Sequence, residues 1–461
     1  MSPRQAGAAE HFDFVVIGAG VAGEAAAFEA LRLGASVAIV ERDLVGGSCP
    51  FWACMPSKAL LHAAGIHAVG GDYSWRHASN FRDWITSREK RRTSDDSGHV
   101  KRLEKAGGTV SRGTAIITGP GAIHVTARGK PARDLVAKNL IVATGSHSTV
   151  PDLPGLDDIK PWTNREATSV RRLPKSLLFM GGGPTGVELS QAFARYGVPT
   201  TIVHPESHVN HRDHPRNTEV LAKALTRDGV NLRLGVRVNR INPARRKGDR
   251  HEMVLSDGSS ERAHEVVLSI GRTPNLDGLG LETLGVTLDR GRVKPDEYLR
   301  IAENTFVIGD PAGPEMHTHL AHYEGEIAVH IAMGEKVKPD FTAIPRATYT
   351  DPETGSVGLR LDEAMEQGHD AFEQTADLAA SAKGNVSESF GHATAVVDRK
   401  THLLLGMFVA GPGASEAIHE AVLAIKTKVP IEVLADTIHA FPTTARVMGT
   451  VFMAASRKLN G

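Results

Sequence analysis

Cysteine is scarce in this chain of 461 residues, which carries only two, Cys49 and Cys54, inside a six-residue window. So few cysteines exclude a disulfide-stapled secreted framework and a four-ligand zinc site. In a reducing compartment a close pair of this kind is more often catalytic than structural. A pair of buried structural thiols is the alternative.

The chain also lacks long apolar runs and a net charge. No stretch approaches the roughly 18 to 20 apolar residues of a membrane span, and the first ten residues lack the apolar run of a secretory signal. Lys plus Arg and Asp plus Glu number 53 each, so no overall field draws the protein to nucleic acid or to an anionic membrane. We therefore expect a cytoplasmic protein whose partners are small molecules, without nucleic acid or membrane among them.

The chain does contain an internal duplication, beginning at Phe12 and again at Ser176. In each copy a β-rich run leads into a G-x-G-x-x-G turn, an amphipathic helix that ends at a glycine, and a second apolar strand. The glycines of the two turns are Gly18, Gly20 and Gly23, and Gly181, Gly183 and Gly186. Two such turns in full βαβ context predict two bound dinucleotides, and a plain strand-to-helix turn at one of them is the alternative.

The three glycines of each turn have separate tasks. The first makes the tight turn, the second lets a pyrophosphate approach the backbone, and the third permits close packing of helix on strand. The diphosphate is then expected at the positive end of the helix.

The residue at the end of each second strand indicates which dinucleotide binds. Glu41, 23 residues after Gly18, can accept hydrogen bonds from ribose hydroxyls, so an unphosphorylated ribose is expected there. The same offset from Gly181 gives His204, where no carboxylate would repel the extra phosphate of NADP. This favours NADPH over NADH in the second unit, with NADH left open because Glu206 lies close by.

Histidines and an arginine follow the second unit, at His208, His211, Arg212 and His214. The basic residues add to the case for NADPH, although a neutral histidine carries no charge near pH 7. The histidines with His204 also allow a metal site, but Pro205 and Pro215 spoil a regular helical spacing and favour a solvated loop.

Cys49 and Cys54 lie where a helix begins, in GGSCPFWACMPSKALL. Five residues along a regular helix separate Cα atoms by roughly 8.7 Å, too far for a disulfide, so the first turn must be distorted. Pro50 and Pro56 favour an irregular entry, and we expect the regular helix to begin at Ser57. A helix N-terminus lowers the pKa of a thiol, and a flavin could relay electrons from the second dinucleotide to the pair.

Four segments together resemble the pyridine nucleotide-disulfide oxidoreductases, the family of lipoamide dehydrogenase, glutathione reductase and mercuric reductase. GGSCPFWACMPSK resembles the active-site signature GGTCxxxGCxPSK, and Ala143–Gly145 resembles the ATG turn. Gly271–Asn275 is similar to the closing segment GRTPN, and Thr305–Asp310 to the second flavin motif, whose aspartate binds the ribityl chain. The resemblance covers essentially the whole chain.

The resemblance implies FAD in the first unit and NAD(P)H in the second, with electrons passing from the flavin to a redox-active disulfide. Cys54 would face the flavin and Cys49 would meet the substrate. Lys58 and Glu188 would form an ion pair beside the flavin. Further cofactor-binding residues implied by the same motifs are Gly47, Ser48, Thr144, Gly145, Gly271, Arg272 and Asp310.

The fold class implied is α/β, with two Rossmann-like dinucleotide-binding domains and a C-terminal α+β dimerisation domain. The FAD-binding domain is predicted at residues 1–150 and 271–342, the NAD(P)-binding domain at 151–270, and the interface domain at 343–461. A homodimer is expected from the interface domain.

The C-terminal segment departs from the family pattern HPTxxE. In the family, a histidine from the partner subunit protonates the thiol leaving group and is oriented by the glutamate. Here HAFPTTAR places Phe441 and Arg446 at those two positions. His439, two residues earlier, is either a substitute base or a structural residue. The usual substrates lipoamide and glutathione are therefore in doubt, and mercury is not assigned because no C-terminal cysteine pair exists.

Three functions stay open from the sequence. The first is an NAD(P)H-dependent disulfide reductase acting on an unidentified small-molecule or small disulfide acceptor. The second is a quinone or metal-ion reductase in which the cysteines are auxiliary. The third is a non-catalytic redox-sensing or binding protein that retains the cofactor scaffold.

Overall fold

A computed structural model describes residues 9–88, 93–246 and 248–461. Its strands in chain order are β1 (Glu10–Ile17), β2 (Val37–Glu41), β3 (Thr109–Arg112), β4 (Thr114–Gly119), β5 (Ala122–Thr126), β6 (Arg133–Val142), β7 (Ser146–Ser148), β8 (Leu177–Met180), β9 (Thr200–His204), β10 (Asn231–Leu234), β11 (Val238–Asn242), β12 (His251–Leu255), β13 (Ser260–Ala263), β14 (Glu265–Leu268), β15 (Arg272–Pro274), β16 (Arg300–Ala302), β17 (Thr305–Val307), β18 (Arg346–Thr348), β19 (Glu353–Gly358), β20 (Ala371–Asp377), β21 (His392–Asp398) and β22 (Leu404–Gly411).

Among the described residues, four α-helices lie between β2 and β3 and four follow β22, while the others lie singly between strands. The helices are α1 (Val21–Arg32), α2 (Ser48–Trp52), α3 (Cys54–Ala68), α4 (Trp75–Ile85), α5 (Ser97–Lys105), α6 (Asn164–Ser169), α7 (Pro184–Arg195), α8 (Pro215–Arg227), α9 (Thr318–Ala332), α10 (Leu361–Glu366), α11 (Ala382–Ser387), α12 (Ala414–Ala417), α13 (His419–Thr427), α14 (Ile431–Asp436) and α15 (Thr444–Asn460). A short 3₁₀ helix covers Leu281–Leu284.

The described residues form two compact units. The first takes the chain up to Pro56 together with Asn80–Thr149 and Arg272–Pro339. The second takes Ser57–Ser79, Val150–Gly271 and Asp340–Gly461. The second unit thus holds residues of both the predicted NAD(P)-binding domain and the predicted interface domain, and the division into three domains stays a prediction.

The first unit is built around a mostly parallel sheet in the order β16, β17, β6, β1, β2, β3, in which β16 runs antiparallel to β17. Strands β4 and β5 extend the sheet from β6 by antiparallel pairing. In β1 the residues Phe14–Ile17 are all buried, as expected for a central strand that is covered on both faces. Helix α1 follows β1 and stops just before Gly34, whose φ is +84°. The helix therefore ends at the predicted glycine, because glycine adopts the left-handed conformation without strain.

The second unit repeats this plan in a parallel sheet ordered β10, β9, β8, β14. All of β8 is buried, and helix α7 stops before Gly197, whose φ is +77°. Val187 and Phe193 of α7 pack in one apolar cluster with Phe179 and Ile202 of the strands. The predicted duplication of a βαβ unit is therefore confirmed.

An antiparallel sheet in the order β18, β19, β22, β21, β20 follows near the end of the chain. Helix α15 covers one face of this sheet, with Val447, Val451 and Phe452 in the same apolar cluster as Val409. The predicted α/β fold class with a C-terminal α+β part is confirmed.

Helices α1 and α9 approach each other closely in the first unit, and a glycine makes this possible. A Cβ at Gly325 would lie 2.9 Å from Ala25 Cβ, so we expect Gly325→Ala to lower the free energy of unfolding by about 1–3 kcal/mol. In α5 a Cβ at Gly98 would meet nothing within 4 Å, and Gly98→Ala should be neutral or stabilise by up to about 1 kcal/mol. Urea unfolding of the two variants checks the pair, and equal stability would contradict the close approach of α1 and α9.

Candidate functional site

The first glycine turn lies between β1 and α1. Gly18 has φ +103°, and a Cβ there would overlap the carbonyl oxygen of Ala143. A Cβ at Gly23 would overlap the carbonyl oxygen of Gly18 itself, so the helix backbone lies directly against the turn. Gly20 caps α1 without a side chain, and a Cβ there would lie 4.0 Å from the Cα of Gly47. The N–H groups of the first helical turn have no acceptor within the helix. Such a turn can receive a pyrophosphate.

Glu41 is the last residue of β2, and its carboxylate lies beside this turn. One of its oxygens accepts a hydrogen bond from the Ala19 N–H at 2.8 Å, and the other from the Asp43 N–H at 2.6 Å. The backbone therefore fixes the carboxylate, whose remaining lone pairs can accept from ribose hydroxyls.

The segments resembling the ATG turn and the second flavin motif meet residues 272–275 of the closing segment in the first unit. Asp310 follows β17 and accepts a hydrogen bond from the hydroxyl of Ser146, while its carboxylate lies 3.3 Å from an Arg272 nitrogen. The Asn275 side chain donates to the carbonyl of Thr144 at 2.9 Å, and the Asn275 N–H donates to that of Gly145 at the same distance. Gly145 and Gly271 both have positive φ, +66° and +130°.

The loop before the cysteines contains two glycines with positive φ, Gly46 at +107° and Gly47 at +71°. A Cβ at Gly47 would lie 2.7 Å from the Cα of Gly20, so this loop touches the first glycine turn. Ser48 then begins α2. The loop therefore brings Cys49 close to the place where a dinucleotide would bind.

The helical segment that carries the cysteines is broken at Ala53, whose φ of −124° and ψ of −98° are not helical. Cys49 lies in α2 and Cys54 begins α3, so the predicted distortion between the two cysteines is confirmed. The prediction that the regular helix begins at Ser57 is wrong, because helical structure resumes at Cys54, with Pro56 in the first turn, where a missing N–H costs little. Both cysteines are partly exposed thiols.

Contacts from the rest of the first unit hold this loop in place. The Val45 N–H donates to Asp96 at 2.7 Å, and Arg88 reaches the carbonyl of Phe51 at 3.4 Å. The ring of His99, paired with Glu24 at 2.9 Å, stands edge-on to Phe51. The Cys54 sulfur lies 3.2 Å from the hydroxyl of Thr318, the first residue of α9. A hydroxyl and a helix N-terminus both favour a thiolate.

In the second unit, Lys58 and Glu188 form an ion pair at 2.7 Å, as the family resemblance implies. Glu188 is buried, and its other oxygen accepts from the Tyr349 N–H at 3.1 Å. The Lys58 ammonium also lies 4.6 Å from the centre of the Tyr349 ring, within the range of a cation–π contact. Lys58 is therefore oriented by two neighbours.

The second glycine turn repeats the first. Gly181 has φ +105°, and a Cβ at Gly186 would overlap its carbonyl oxygen. Gly183 caps α7, and a Cβ there would meet nothing within 4 Å. This turn can also receive a pyrophosphate.

His204 ends β9, in the same place that Glu41 holds at the end of β2. Its ring is buried against Gly182, and its Nε2 lies 3.2 Å from His211 Nδ1. Burial, and after it the neighbouring His211, lowers the pKa of His204 below the ordinary value. His204 is therefore neutral near pH 7 and supplies no positive charge to a phosphate.

The other histidines that the sequence groups with His204, namely His208 and His214, contact different residues. His214 pairs with Glu373 at 2.9 Å and stacks on Phe408, while His208 bonds Ser207. Over the described ranges, nowhere do three or more His, Cys, Asp or Glu side chains come together as metal ligands would.

In the C-terminal segment the side chain of His439 is nearly buried, whereas that of Phe441 is exposed. His439 bonds Glu420 at 2.9 Å, and its ring lies against Gly449 with its side chain only 5% exposed. Phe441 is 73% exposed. Arg446 lies in the first turn of α15.

Comparison with known proteins identifies the family. The profile described as pyridine nucleotide-disulphide oxidoreductase matches residues 12–325, and that of the family's dimerisation domain matches residues 344–452. The chain belongs to the pyridine nucleotide-disulphide oxidoreductase family. It is 32% identical to a dihydrolipoyl dehydrogenase of Chlorobaculum tepidum over 95% of this chain and 96% of the relative. It is 28% identical to a mercuric reductase of Staphylococcus aureus over 94% and 80% of the two chains.

Solved structures share the fold. LpdA from Mycobacterium tuberculosis is 25% identical and superposes with a TM-score of 0.85, covering 96% of this chain and 99% of LpdA. The HOCl-induced flavoprotein disulfide reductase RclA from Escherichia coli gives the same TM-score of 0.85 at 24% identity, with the same coverage. This pyridine nucleotide-disulphide oxidoreductase is thus an FAD- and NAD(P)H-dependent enzyme. Among its described helices, none has the length and apolar character needed to cross a membrane.

The residues of the first unit fit the FAD of this family. The turn carries no side chain at Gly20, and Glu41 and Asp310 each present a carboxylate that is held by hydrogen bonds. The hydroxyl oxygen of Thr144 is buried, and no hydrogen-bond partner for it lies in the described parts of the chain. A buried polar group without a hydrogen-bond partner raises the free energy of the folded protein unless a ligand or a water molecule bonds to it.

Sequence reasoning missed Thr318, Tyr349 and the pair of Glu24 and His99. No spacing signal leads to them, because each is distant in sequence from the group it contacts. Only the histidine-rich run MHTHLAH around Thr318 is unusual enough to draw attention.

Removal of the Thr318 hydroxyl tests its effect on Cys54. In a Cys49→Ser background Cys54 is the one cysteine of the chain. There we expect Thr318→Val to slow alkylation by iodoacetamide at pH 7 by about three- to tenfold, because the thiolate loses a donor. Thr318→Ser keeps the hydroxyl and should react as the parent does. An unchanged rate in the valine variant would show that the hydroxyl does not stabilise the thiolate.

Proposed function

We propose that this enzyme passes electrons from NADPH to the Cys49 and Cys54 pair and on to a small acceptor. The observation that carries the proposal is the Cys54 sulfur 3.2 Å from the Thr318 hydroxyl, at the first residue of α9. Cys49 lies in the short preceding helix α2, beyond the break at Ala53. We propose that this arrangement favours a thiolate at Cys54 and lets Cys49 meet the acceptor.

When bound, FAD supplies the capacity to take a hydride from the nicotinamide and release it as an electron pair. Glu41, Thr144, Asp310 and the turn at Gly18 are proposed to hold it, together with Gly20, Gly23, Gly47, Ser48, Gly145, Gly271 and Arg272. Lys58, fixed by Glu188, is proposed to place a positive charge beside the flavin. Reduction of a Cys49–Cys54 disulfide consumes two electrons and two protons and yields two thiols, and the reverse step transfers the electron pair to the acceptor.

The proposed preference for NADPH rests on the end of β9. A carboxylate at this position would repel the 2′-phosphate, whereas neutral His204 does not. Arg212 and His211 are exposed on the following loop, where Arg212 would attract a phosphate, while the exposed Glu206 on the same loop would oppose it. Gly181, Gly183 and Gly186 are proposed to hold the pyrophosphate.

The acceptor is proposed to be one that needs no proton delivered to a sulfur leaving group. His439 is held by Glu420 and is nearly buried, and the exposed Phe441 stands where the family has its histidine. This observation favours a second candidate function, reduction of quinones or metal ions such as Cu(II), with the cysteines auxiliary. An exposed aromatic ring can stack on a quinone. We propose that the chain works as a homodimer through its dimerisation domain.

Anaerobic titration with NADPH tests the relay. After addition of two electrons we expect a long-wavelength band, because a thiolate then lies beside oxidised flavin. Cys49→Ser should show this band without reductant and lose disulfide reduction, while Cys54→Ser should lack the band. Bleaching of the flavin without the band, with quinone reduction intact in Cys49→Ser, would favour the second candidate. Absence of turnover with disulfides, quinones and Cu(II) would leave the redox-sensing alternative.

The nucleotide preference is tested by His204→Glu. A carboxylate at the end of β9 should lower kcat/KM for NADPH about tenfold or more relative to NADH, about 1.4 kcal/mol, because it repels the 2′-phosphate. His204→Gln is neutral and should leave the ratio as in the unmodified enzyme. An unchanged ratio in the glutamate variant would mean that this residue does not contact the adenosine ribose.

A further inference from the structure

The carboxyl group of Glu324 lies inside the loop that presents Asp310. Glu324 is fully buried on α9, and one of its oxygens accepts a hydrogen bond from the Gly309 N–H at 2.6 Å. Its other oxygen is buried against Gly313, and the described residues offer it no hydrogen-bond partner. A buried carboxyl of this kind is rare, because its burial is costly without full hydrogen bonding.

The contact fixes the residue that precedes Asp310. The Gly309 N–H is held by Glu324, and the Gly309 carbonyl accepts from the N–H groups of Ala312 and Gly313 at 2.8 and 3.1 Å. Gly309 itself has φ +72°, a left-handed conformation that most residues avoid. Because the N–H and the carbonyl of Gly309 are both hydrogen-bonded, the backbone at Gly309 determines where the Asp310 carboxylate points.

We propose that Glu324 is a positioning residue for the flavin, which holds Gly309 and thereby orients Asp310 toward the ribityl chain. The inference rests on the assignment of Asp310 to the FAD site within the proposed function. Glu324 acts through Asp310 and is not itself a ligand of the flavin.

The protonation state of Glu324 gives the proposal a measurable consequence. Burial, the largest cause, raises its pKa from 4.5 to about 8, the Gly309 N–H opposes this, and the charge of Asp310 adds to it. Several other ionisable groups of the first unit near α9 form pairs: Glu24 with His99, Glu29 with Arg32 and His330, Glu315 with His317, His322 with Glu326, and Asp310 with Arg272. Arg102 lines the same cavity as His322 and Glu326.

The sign of the pH effect follows from the raised pKa. The neutral form is favoured in the folded protein, so its stabilising contribution is complete below the ordinary value of 4.5 and is lost as the pH rises through about 8. Above that pH a second negative charge forms beside Asp310. Retention of FAD should therefore weaken between about pH 7 and pH 9.5.

The experiment follows FAD release from the holoenzyme by the rise in flavin fluorescence after dilution. From pH 7 to pH 9.5 the unmodified protein should release FAD about five- to tenfold faster. Glu324→Gln is neutral at every pH and should remove that dependence, while Glu324→Leu cannot accept from Gly309 and should release FAD about tenfold faster throughout. Glu326→Gln, two residues along α9 and exposed, is the matched control and should behave as the unmodified protein does.

An equal pH dependence in Glu324→Gln and the unmodified protein would overturn the proposal, as would unchanged release from Glu324→Leu. If the leucine variant fails to fold by circular dichroism, the glutamine comparison decides alone. Asp310→Asn separates the assignments: faster release supports Asp310 as a flavin ligand, and unchanged release overturns the inference together with that assignment. The measurement uses neither nicotinamide nor acceptor, so failure of the cysteine relay leaves it unaffected.

Discussion

The close approach of a helix backbone to a glycine turn is the constraint on which both nucleotide units depend. At Gly23 and at Gly186 a side chain would overlap the carbonyl oxygen of the first glycine of the turn. Because the glycines carry no side chains, none of their own atoms blocks the N–H groups that begin α1 and α7, and the following strand ends beside them. The first turn binds Glu41 through the Ala19 N–H, whereas the second lies against the neutral ring of His204.

The cysteine loop depends on the same turn, since Gly47 lies against Gly20. Two cysteines five residues apart cannot come together on an unbroken helix, and the break at Ala53 relieves this. An irregular segment needs support from outside itself, which here comes from Asp96, Arg88 and His99. The contact with Thr318 then brings the start of α9 to Cys54, and Glu324 links that same helix to the Asp310 loop.

Local order was predictable from the sequence, because the glycine turns, the helix ends at Gly34 and Gly197, and the broken helix all depend on residues a few positions apart. Contacts between segments that are distant in the sequence were not predictable. Cys54 and Thr318 are 264 positions apart, and Glu188 and Tyr349 are 161 apart. The position of His204 at a strand end followed from spacing, but its burial, and with it the loss of its charge, depends on how His211 and Gly182 surround the ring.

The proposed choice of acceptor depends on whether an acidic group can protonate a departing sulfur. His439 pairs with Glu420 and its ring packs against Gly449, so its Nε2 is already engaged within the C-terminal segment. Thiol–disulfide exchange proceeds faster when the leaving thiol has a low pKa, because such a thiolate departs without a proton. A relay with no acid at the Phe441 position would therefore discriminate among disulfides by the acidity of the leaving thiol. Quinones and metal ions release no thiolate when they are reduced, so the acidity of a leaving thiol does not limit their reduction.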